Sequence, residues 1–196
     1  GPSLWSGNFN HVEYLADKTE YPYFCRGEHV KGLGLSYGTA LVSGIQLRDS
    51  VSVTFSPSSL TPPKGFVACT IEYPVQRNAS IVVVSVHLDY ARTSVRKKQV
   101  EELTARFSRS NTPLIILGDF NCDVSDKKED TLRNLVKALN LKIYKPKGQG
   151  MATFPQTGRR LDWILISRGL TFISYRILTD PLSDHYGLIA EIKIDK

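Results

Sequence analysis

The chain has 196 residues, of which 41% are hydrophobic and 22% are charged, and its formal net charge is +6. This composition is ordinary for a soluble globular protein and excludes a disordered or fibrous chain. The length fits one sizeable core and therefore one domain, and no apolar run is long enough to span a membrane. The positive charge indicates a mild preference for anionic partners such as nucleic acid, phospholipid headgroups or phosphorylated small molecules.

The cysteines and the first residues bear on where the protein works. Cys25, Cys69 and Cys122 are few, unevenly spaced and odd in number. This pattern argues against a disulfide framework and fits a reducing compartment or incidental thiols, so we expect a cytoplasmic protein. The opening residues 1–3 resemble the remnant of a removed affinity tag, and we expect residues 4–196 to form a single domain.

The first half of the chain is predicted to be rich in strands with short connections. Residues 9–15 predict a helix capped by Asn8 or Asn10, with Leu15 on its apolar face, and residues 21–24 predict a loop. The glycine-rich run 32–38 lacks the Lys-Ser/Thr ending and the preceding strand of a phosphate-binding loop, so a turn is the favoured interpretation. Strands are predicted at 39–43, 51–55, 66–73 and 81–89, with a turn at 76–78.

From residue 81 the pattern changes to strand, helix, strand. A helix is predicted from Thr93 or Ser94 to about Phe107, with Val100 facing inward and Arg96 on a solvated face. Further along, we predict a strand at 114–117, a helix at 130–139, and strands at 161–167 and 188–194. The interpretation is one α/β domain with mixed sheets and helices packed outside them.

The run from Leu114 to Asp123 is the most informative stretch of the sequence. Four consecutive aliphatic residues predict a strand buried on both faces, and Gly118 allows the backbone to turn. Asp119 and Asn121 then lie close together at the carboxyl end of the strand, where a carboxylate and an amide suit a hard cation and a phosphate oxygen. An Asx-rich turn that merely closes the strand is the alternative, and the stretch by itself leaves both open.

Polar side chains also stand at the ends of other apolar strands. Each has an ordinary structural explanation when taken alone, such as a capped turn or a surface histidine. Together they form the inventory needed for metal-assisted hydrolysis of a phosphoester. The set is His87, Asp119, Asn121, Asp162, Asp184 and His185.

Four short motifs, in order along the chain, resemble those of the endonuclease/exonuclease/phosphatase superfamily. They are Ser85-Val86-His87-Leu88-Asp89, Gly118-Asp119-Phe120-Asn121, Leu161-Asp162-Trp163-Ile164 and Ser183-Asp184-His185. The resemblance implies two packed mixed β-sheets with outer helices, a four-layer α/β sandwich. It also implies a divalent-metal-dependent phosphoester hydrolase of the phosphodiesterase or endonuclease type that uses an activated water.

The resemblance implies catalytic roles residue by residue. His185 would be the general base for the attacking water, with Asp162 holding its ring in the useful tautomer. Asp119 and Asn121 would orient that water and a phosphate oxygen. His87 would donate to a non-bridging phosphate oxygen as charge develops.

Metal and substrate contacts are implied in the same way. Asp184 and Asp119 would hold Mg²⁺ or Mn²⁺, and the Thr153 hydroxyl would be an additional donor to phosphate. Arg159 and Arg160 follow the Thr153 segment and precede the Asp162 strand, so we expect them to contact substrate at the rim of the site. The substrate would be nucleic acid, a phospholipid or a small phosphate.

The sequence departs from the family pattern at its start. The family begins with a strand that carries an Asn, followed by a Gln-Glu whose carboxylate is a metal ligand, and Glu13 and Glu20 do not stand in that context. We therefore expect a truncation at the N-terminus and an unpaired sheet edge, which would favour dimerisation. Alternative functions are an inactive domain that binds a phosphate ligand or nucleic acid, a phospholipid or inositol-phosphate hydrolase, and a regulatory module whose strand-end residues are structural.

Overall fold

The computed structural model describes residues 9–32, 35–73, 79–148 and 150–195, and the chain divides into two compact units, residues 1–87 and 88–196. The predicted tag remnant, the alternative cap Asn8, positions 33–34 of the glycine-rich run and the predicted turn at 76–78 lie outside the described residues. Within the described ranges, no helix combines the length and the apolar character that crossing a bilayer requires.

The first unit is built from antiparallel strands. One pair forms a hairpin, β1 with β2, and a second ladder has the order β3, β4, β5. The predicted loop at 21–24 is wrong from Tyr23 onward, because Tyr23 already pairs with Ser43 of the neighbouring strand. The elements are α1 (His11–Lys18), β1 (Tyr23–Gly32), β2 (Leu35–Ser43), β3 (Leu47–Thr54), β4 (Gly65–Tyr73) and β5 (Ala79–His87).

Helix α1 confirms one predicted cap and corrects the predicted apolar face. The Asn10 side chain accepts a hydrogen bond from the Val12 backbone N–H at 3.2 Å, which satisfies one of the donors left open at a helix start. The buried residue of the helix is Ala16, whereas the Leu15 side chain is 53% exposed. The prediction for Leu15 is wrong, because the helix packs the next residue, Ala16, against the rest of the first unit and leaves the Leu15 side chain exposed.

The cysteine prediction also needs correction. The structure joins Cys25 of β1 to Cys69 of β4 as a disulfide across 44 residues, so these two cysteines are not incidental thiols. Disulfides are typical of oxidising environments, and the cysteine count therefore gives no support for a reducing compartment. Cys122 is free and buried, and its burial raises the pKa of the thiol to about 12.

The second unit combines helices of 15 and 8 residues with strands of two to nine residues. The β6, β8 and β7 strands form an antiparallel ladder in that order, and β9 pairs with β10. The short β7 and the long β9 were not predicted, while the helices α2 and α3 were. The elements are α2 (Thr93–Phe107), β6 (Leu114–Asp119), α3 (Thr131–Ala138), β7 (Lys142–Ile143), β8 (Asp162–Ile166), β9 (Leu170–Leu178) and β10 (Gly187–Ile194).

Arg96 on α2 is buried, contrary to the predicted solvated face. Its Nε and Nη2 atoms each donate to the Glu129 carboxylate at 2.7 Å, and its Nη1 donates to the Asp89 carbonyl oxygen at 2.9 Å. Both charged side chains are 6% exposed. A guanidinium can be buried when its donors are matched by a bidentate carboxylate, a pairing that helix periodicity does not reveal.

Candidate active site

The carboxyl end of β6 turns sharply and presents Asp119 and Asn121 together. Gly118 has a φ of 138° and Asn121 a φ of 52°, values that favour glycine and asparagine. The Asn121 backbone N–H donates to Asp119 Oδ1 at 2.8 Å, and its side-chain Nδ2 donates to the Leu88 carbonyl oxygen at 3.0 Å and to Asp119 Oδ2 at 3.2 Å. The turn is therefore an Asx turn, and it fixes both side chains beside the strand end.

Antiparallel pairing brings a second carboxylate to the same place. Asp119, the last residue of β6, lies opposite Asp162, the first residue of β8. Residues that face each other in an antiparallel ladder are about 4.5–5.5 Å apart. Two strand ends distant in sequence thus form one edge of the site.

His185 lies in the loop before β10 and contacts this edge. Its Nδ1 is 2.7 Å from Asp162 Oδ2, and the carboxylate accepts, so Nδ1 carries the hydrogen and Nε2 carries the lone pair of the neutral ring. Burial acts to lower the pKa of His185, but the hydrogen bond and charge of Asp162, aided by the Asp119 and Asp184 charges, outweigh it and raise that pKa above its usual value.

Ligand atoms of Asp119, Asp162 and His185 all lie within 4.8 Å of one another, and all three side chains are half-buried. This is the group that could hold a metal ion within the described residues, and its carboxylate oxygens suit Mg²⁺ or Mn²⁺. Asp184 is exposed and lies outside the group, with its Oδ1 accepting from Ser183 Oγ at 3.0 Å.

The Thr153 side chain holds the backbone of the site in place and is not exposed on its surface. Its side chain is fully buried, and its hydroxyl oxygen accepts from the backbone N–H of Leu161 at 2.9 Å and of Asp162 at 3.0 Å. Its carbonyl oxygen accepts from the Tyr186 N–H at 2.8 Å, next to His185. Thr153 therefore fixes the backbone on both sides of the His185–Asp162 pair, and burial contradicts the expected contact with phosphate.

We expect Thr153→Val to lower the free energy of unfolding by about 2 kcal/mol or more, since valine leaves two buried backbone donors unsatisfied. Thr153→Ser keeps the oxygen and should recover most of that loss. Urea unfolding of the three proteins measures the difference. A valine variant as stable as the wild type would show that the two donors find other partners.

Arg160 is also buried, which corrects its expected place at the rim. Its guanidinium carbon lies 3.9 Å from the centre of the Trp163 ring and 5.1 Å from that of Tyr175, and Nη1 donates to the Tyr144 carbonyl oxygen at 3.0 Å. The side chain is 5% exposed, so its role is to pack the sheet. Arg159 is half-buried, and its contact with substrate stays a prediction.

His87 belongs to the first unit, where it is the last residue of β5. Its Nδ1 lies 2.5 Å from Tyr37 Oη and its Nε2 lies 3.0 Å from Lys64 Nζ. Sequence reasoning identified His87 but neither of these two partners. Nothing in the sequence around Tyr37 or Lys64 signals that they meet a histidine, because three separate segments supply the cluster.

Other supporting contacts in the second unit were missed for the same reason. The Phe154 ring lies 4.9 Å from the His185 ring, the Trp163 Nε1 donates to the Cys122 carbonyl oxygen at 3.0 Å, and Asp123 Oδ2 accepts from the Arg160 N–H at 3.1 Å. The contacts of Cys122 and Asp123 hold the loop after β6 against the segment that leads into β8. The resemblance to the family pointed to Thr153, but no signal assigned a role to its neighbour Phe154 or to Asp123.

Comparison with known proteins decides the family. The profile of the Endonuclease/Exonuclease/phosphatase family matches residues 4–185. The chain belongs to this family. Its members are generally metal-dependent phosphoester hydrolases, so the resemblance inferred from the four motifs is confirmed.

The related proteins that we compared are distant. A UPF0294 protein of Yersinia enterocolitica is 26% identical over 123 residues, which are 62% of this chain and 46% of that protein. The chain thus spans about half the length of this curated relative.

Solved structures confirm the predicted α/β sandwich fold. The human nocturnin catalytic domain with a bound sulfate anion has a TM-score of 0.76 at 19% identity, covering 95% of this chain and 77% of that one. A family protein from Beutenbergia cavernae has a TM-score of 0.74 at 15% identity, covering all of this chain and 59% of its own.

Proposed function

We propose that the protein is a divalent-metal-dependent phosphoester hydrolase of the phosphodiesterase or endonuclease type. The observation that carries the proposal is the His185–Asp162 hydrogen bond of 2.7 Å beside the Asp119 carboxylate. A base whose ring is oriented by a carboxylate, next to a further oxygen ligand, is the arrangement that activates a water molecule.

The proposed proton transfer depends on which ring nitrogen of His185 carries the hydrogen. Asp162 holds the hydrogen on Nδ1 of His185, so Nε2 is the atom that takes a proton from the attacking water. The protonated ring then lies beside three carboxylates whose charges raise its pKa, which stabilises the imidazolium formed in the step. Asp119 and Asn121 orient the water and a phosphate oxygen.

The Asp119 carboxylate is a suitable oxygen ligand for a divalent cation. Asp119 would hold Mg²⁺ or Mn²⁺, with Asp184 as a further ligand, and the bound ion would supply positive charge against the anionic phosphate. His87 as donor to a phosphate oxygen, Arg159 as substrate contact, and dimerisation through an unpaired sheet edge are further parts of the proposal. The substrate class is a phosphate ester of nucleic acid, of a phospholipid or of a small molecule.

The test compares wild type, Asp119→Asn and Asp180→Asn on bis-p-nitrophenyl phosphate, plasmid DNA and phospholipid vesicles, with Mg²⁺, Mn²⁺ or EDTA. Asp180 is an exposed aspartate in the second unit and serves as the matched control. We expect turnover that EDTA abolishes and that Asp119→Asn lowers about 100-fold or more, while Asp180→Asn keeps wild-type rates. Turnover that is equal in EDTA would overturn metal dependence.

An extended chain with additional upstream residues should be assayed beside this one. If neither chain hydrolyses any of the three substrates but both still bind ligand, the proposal of a hydrolase is wrong. The alternative of an inactive binding domain then takes its place.

A further inference from the structure

A histidine of the first unit is buried where two separate ladders meet. His29 lies on β1, which pairs with β2, and its ring contacts residues of β3 and β4. The residue is only 6% exposed. It also lies on a β-bulge, because the pairing of β1 with β2 shifts register between Glu28 and Val30. A bulge changes the direction in which a side chain leaves its strand, so the burial of this ring is a specific feature of β1.

Two glycines and two threonines surround the His29 ring. A β-carbon added to Gly65 would lie 2.5 Å from Cε1 and Nδ1 of the ring, and one added to Gly27 would lie 2.8 Å from Cε1, so either would displace the ring. The Thr39 hydroxyl lies 3.0 Å from Nε2, and the Thr54 hydroxyl lies 3.3 Å from Nδ1. Because Thr54 belongs to β3 and Gly65 to β4, the ring joins the β1–β2 hairpin to the β3–β4 ladder.

The hydrogen bonds of this ring tolerate either charge state. A threonine hydroxyl both donates and accepts, so Thr39 and Thr54 match the two nitrogens of a neutral ring as well as the two N–H groups of an imidazolium. The cost of protonation is therefore electrostatic, since a buried charge is costly without a partner of opposite sign. Burial first, and the positive charge of Lys64 second, lower the pKa of His29 below its ordinary 6.5.

The charged groups around the ring do not offset this cost. On β1 the Glu28 carboxylate pairs with the Lys31 ammonium at 3.2 Å and the Arg26 guanidinium at 3.5 Å. Strands β2 and β3 face the ring with neutral hydroxyl groups, and β4 is directly preceded by Lys64. An imidazolium at this place would thus meet a second cation.

We propose that His29 is a pH-sensitive junction: its neutral ring joins the β1–β2 hairpin to the β3–β4 ladder, and its protonation in mild acid loosens that contact. Loosening lets water reach the charged ring, which removes the cost of burying it. The disulfide between Cys25 and Cys69 also joins β1 to β4, so the hairpin stays attached when the ring is charged. Because the folded unit binds this proton less readily than the unfolded chain, the stabilisation is present above pH 6.5 and is lost as the pH falls.

The first measurement is an NMR titration of the His29 ring in the full wild-type chain, labelled with carbon-13 and nitrogen-15 and assigned through its own backbone. We expect the midpoint to lie below pH 6.5, or the ring to stay neutral until the first unit opens. His11→Gln, on α1 of the same unit, is the matched control and should leave the His29 midpoint unchanged. A wild-type midpoint at pH 6.5 or above would overturn the proposal whether or not any variant folds.

His29→Gln tests whether the proton is linked to opening. Glutamine still forms a hydrogen bond to a threonine hydroxyl but does not titrate. Between pH 7 and pH 5, the unfolding equilibrium constant of the first unit should rise more in the wild type than in His29→Gln, by up to about tenfold for each pH unit below 6.5. Urea unfolding of both full chains, followed at the NMR signals of β1 and β2, measures this difference. An equal pH dependence in the two proteins would overturn the proposal, because the charged ring would then cost the folded unit nothing.

Discussion

His185→Ala should reduce metal-dependent phosphoester hydrolysis by about 10²–10⁴-fold, the contribution typical of a positioned general base. The variant removes Nε2, the atom proposed to take the proton from water, while the Asp162 carboxylate stays in place at the end of β8. Because the ring is half-buried and lies in a loop, we expect the fold to survive the change. The measurement is the initial rate on bis-p-nitrophenyl phosphate at saturating Mg²⁺ or Mn²⁺.

Two further variants test whether the loss of activity is specific to the His185–Asp162 pair. His11→Ala, on α1 of the first unit, is the matched control and should keep the wild-type rate. Asp162→Asn keeps the size of the side chain but replaces the carboxylate that holds the Nδ1 hydrogen, so we expect a loss of the same kind as for His185→Ala and not additive with it. Retention of most activity in His185→Ala would remove this histidine from the mechanism.

Arg96→Met should lower the free energy of unfolding by about 3–5 kcal/mol, because it leaves the buried Glu129 carboxylate without its cation. The pair lies between α2 and the segment before α3, and the guanidinium also holds the Asp89 carbonyl oxygen after β5. Replacing both partners, as in Arg96→Met with Glu129→Gln, should recover a large part of the loss. Urea unfolding near neutral pH measures the cost.

Lys97→Met is the matched control on the same helix. Lys97 pairs with Asp130 at 2.8 Å, but the two side chains are 44% and 46% exposed, so removal of this solvent-screened pair should change the free energy of unfolding far less than Arg96→Met does. An equal loss for Arg96→Met and Lys97→Met would show that burial of the Arg96–Glu129 pair carries no stability.

The cost of Arg96→Met should also depend on pH. Burial acts to raise the pKa of Glu129, but Arg96 outweighs it and holds that pKa below the ordinary 4.5. A depressed folded-state pKa gives stability that is present above 4.5 and is lost as the pH falls through the lowered value. In the variant the charge and the hydrogen bonds of Arg96 are lost while those of Thr131 and Thr93 remain, so the Glu129 pKa lies above its wild-type value and protonation relieves the buried charge at a higher pH. The stability difference between the two proteins should therefore narrow from pH 7 towards pH 4.

Local patterns in the sequence were sufficient for several elements of the fold. The heptad-like spacing of Val100, Leu103 and Phe107 predicted α2, and the aliphatic run before Gly118 predicted β6, because one element buries these side chains on its own periodicity. The Asn10 cap was readable for the same reason: the donors it satisfies are two and three residues away. Strand β1 (Tyr23–Gly32) was not predicted, because its pairing with β2 and not its own composition makes it a strand.

The candidate site shows the same division. The sequence by itself placed Asp119, Asn121, Asp162 and His185 at the ends of apolar segments, since a buried strand and a polar turn residue are local features that chain order preserves. Only the tertiary structure decided what each side chain touches. Thr153 and Arg160 are buried and support the site, and Arg96 is buried as one half of an ion pair with Glu129. Folding also places Lys64 beside His87. Such contacts join segments tens of residues apart, and the balance of desolvation against hydrogen bonding that fixes them exists only once those segments have packed together.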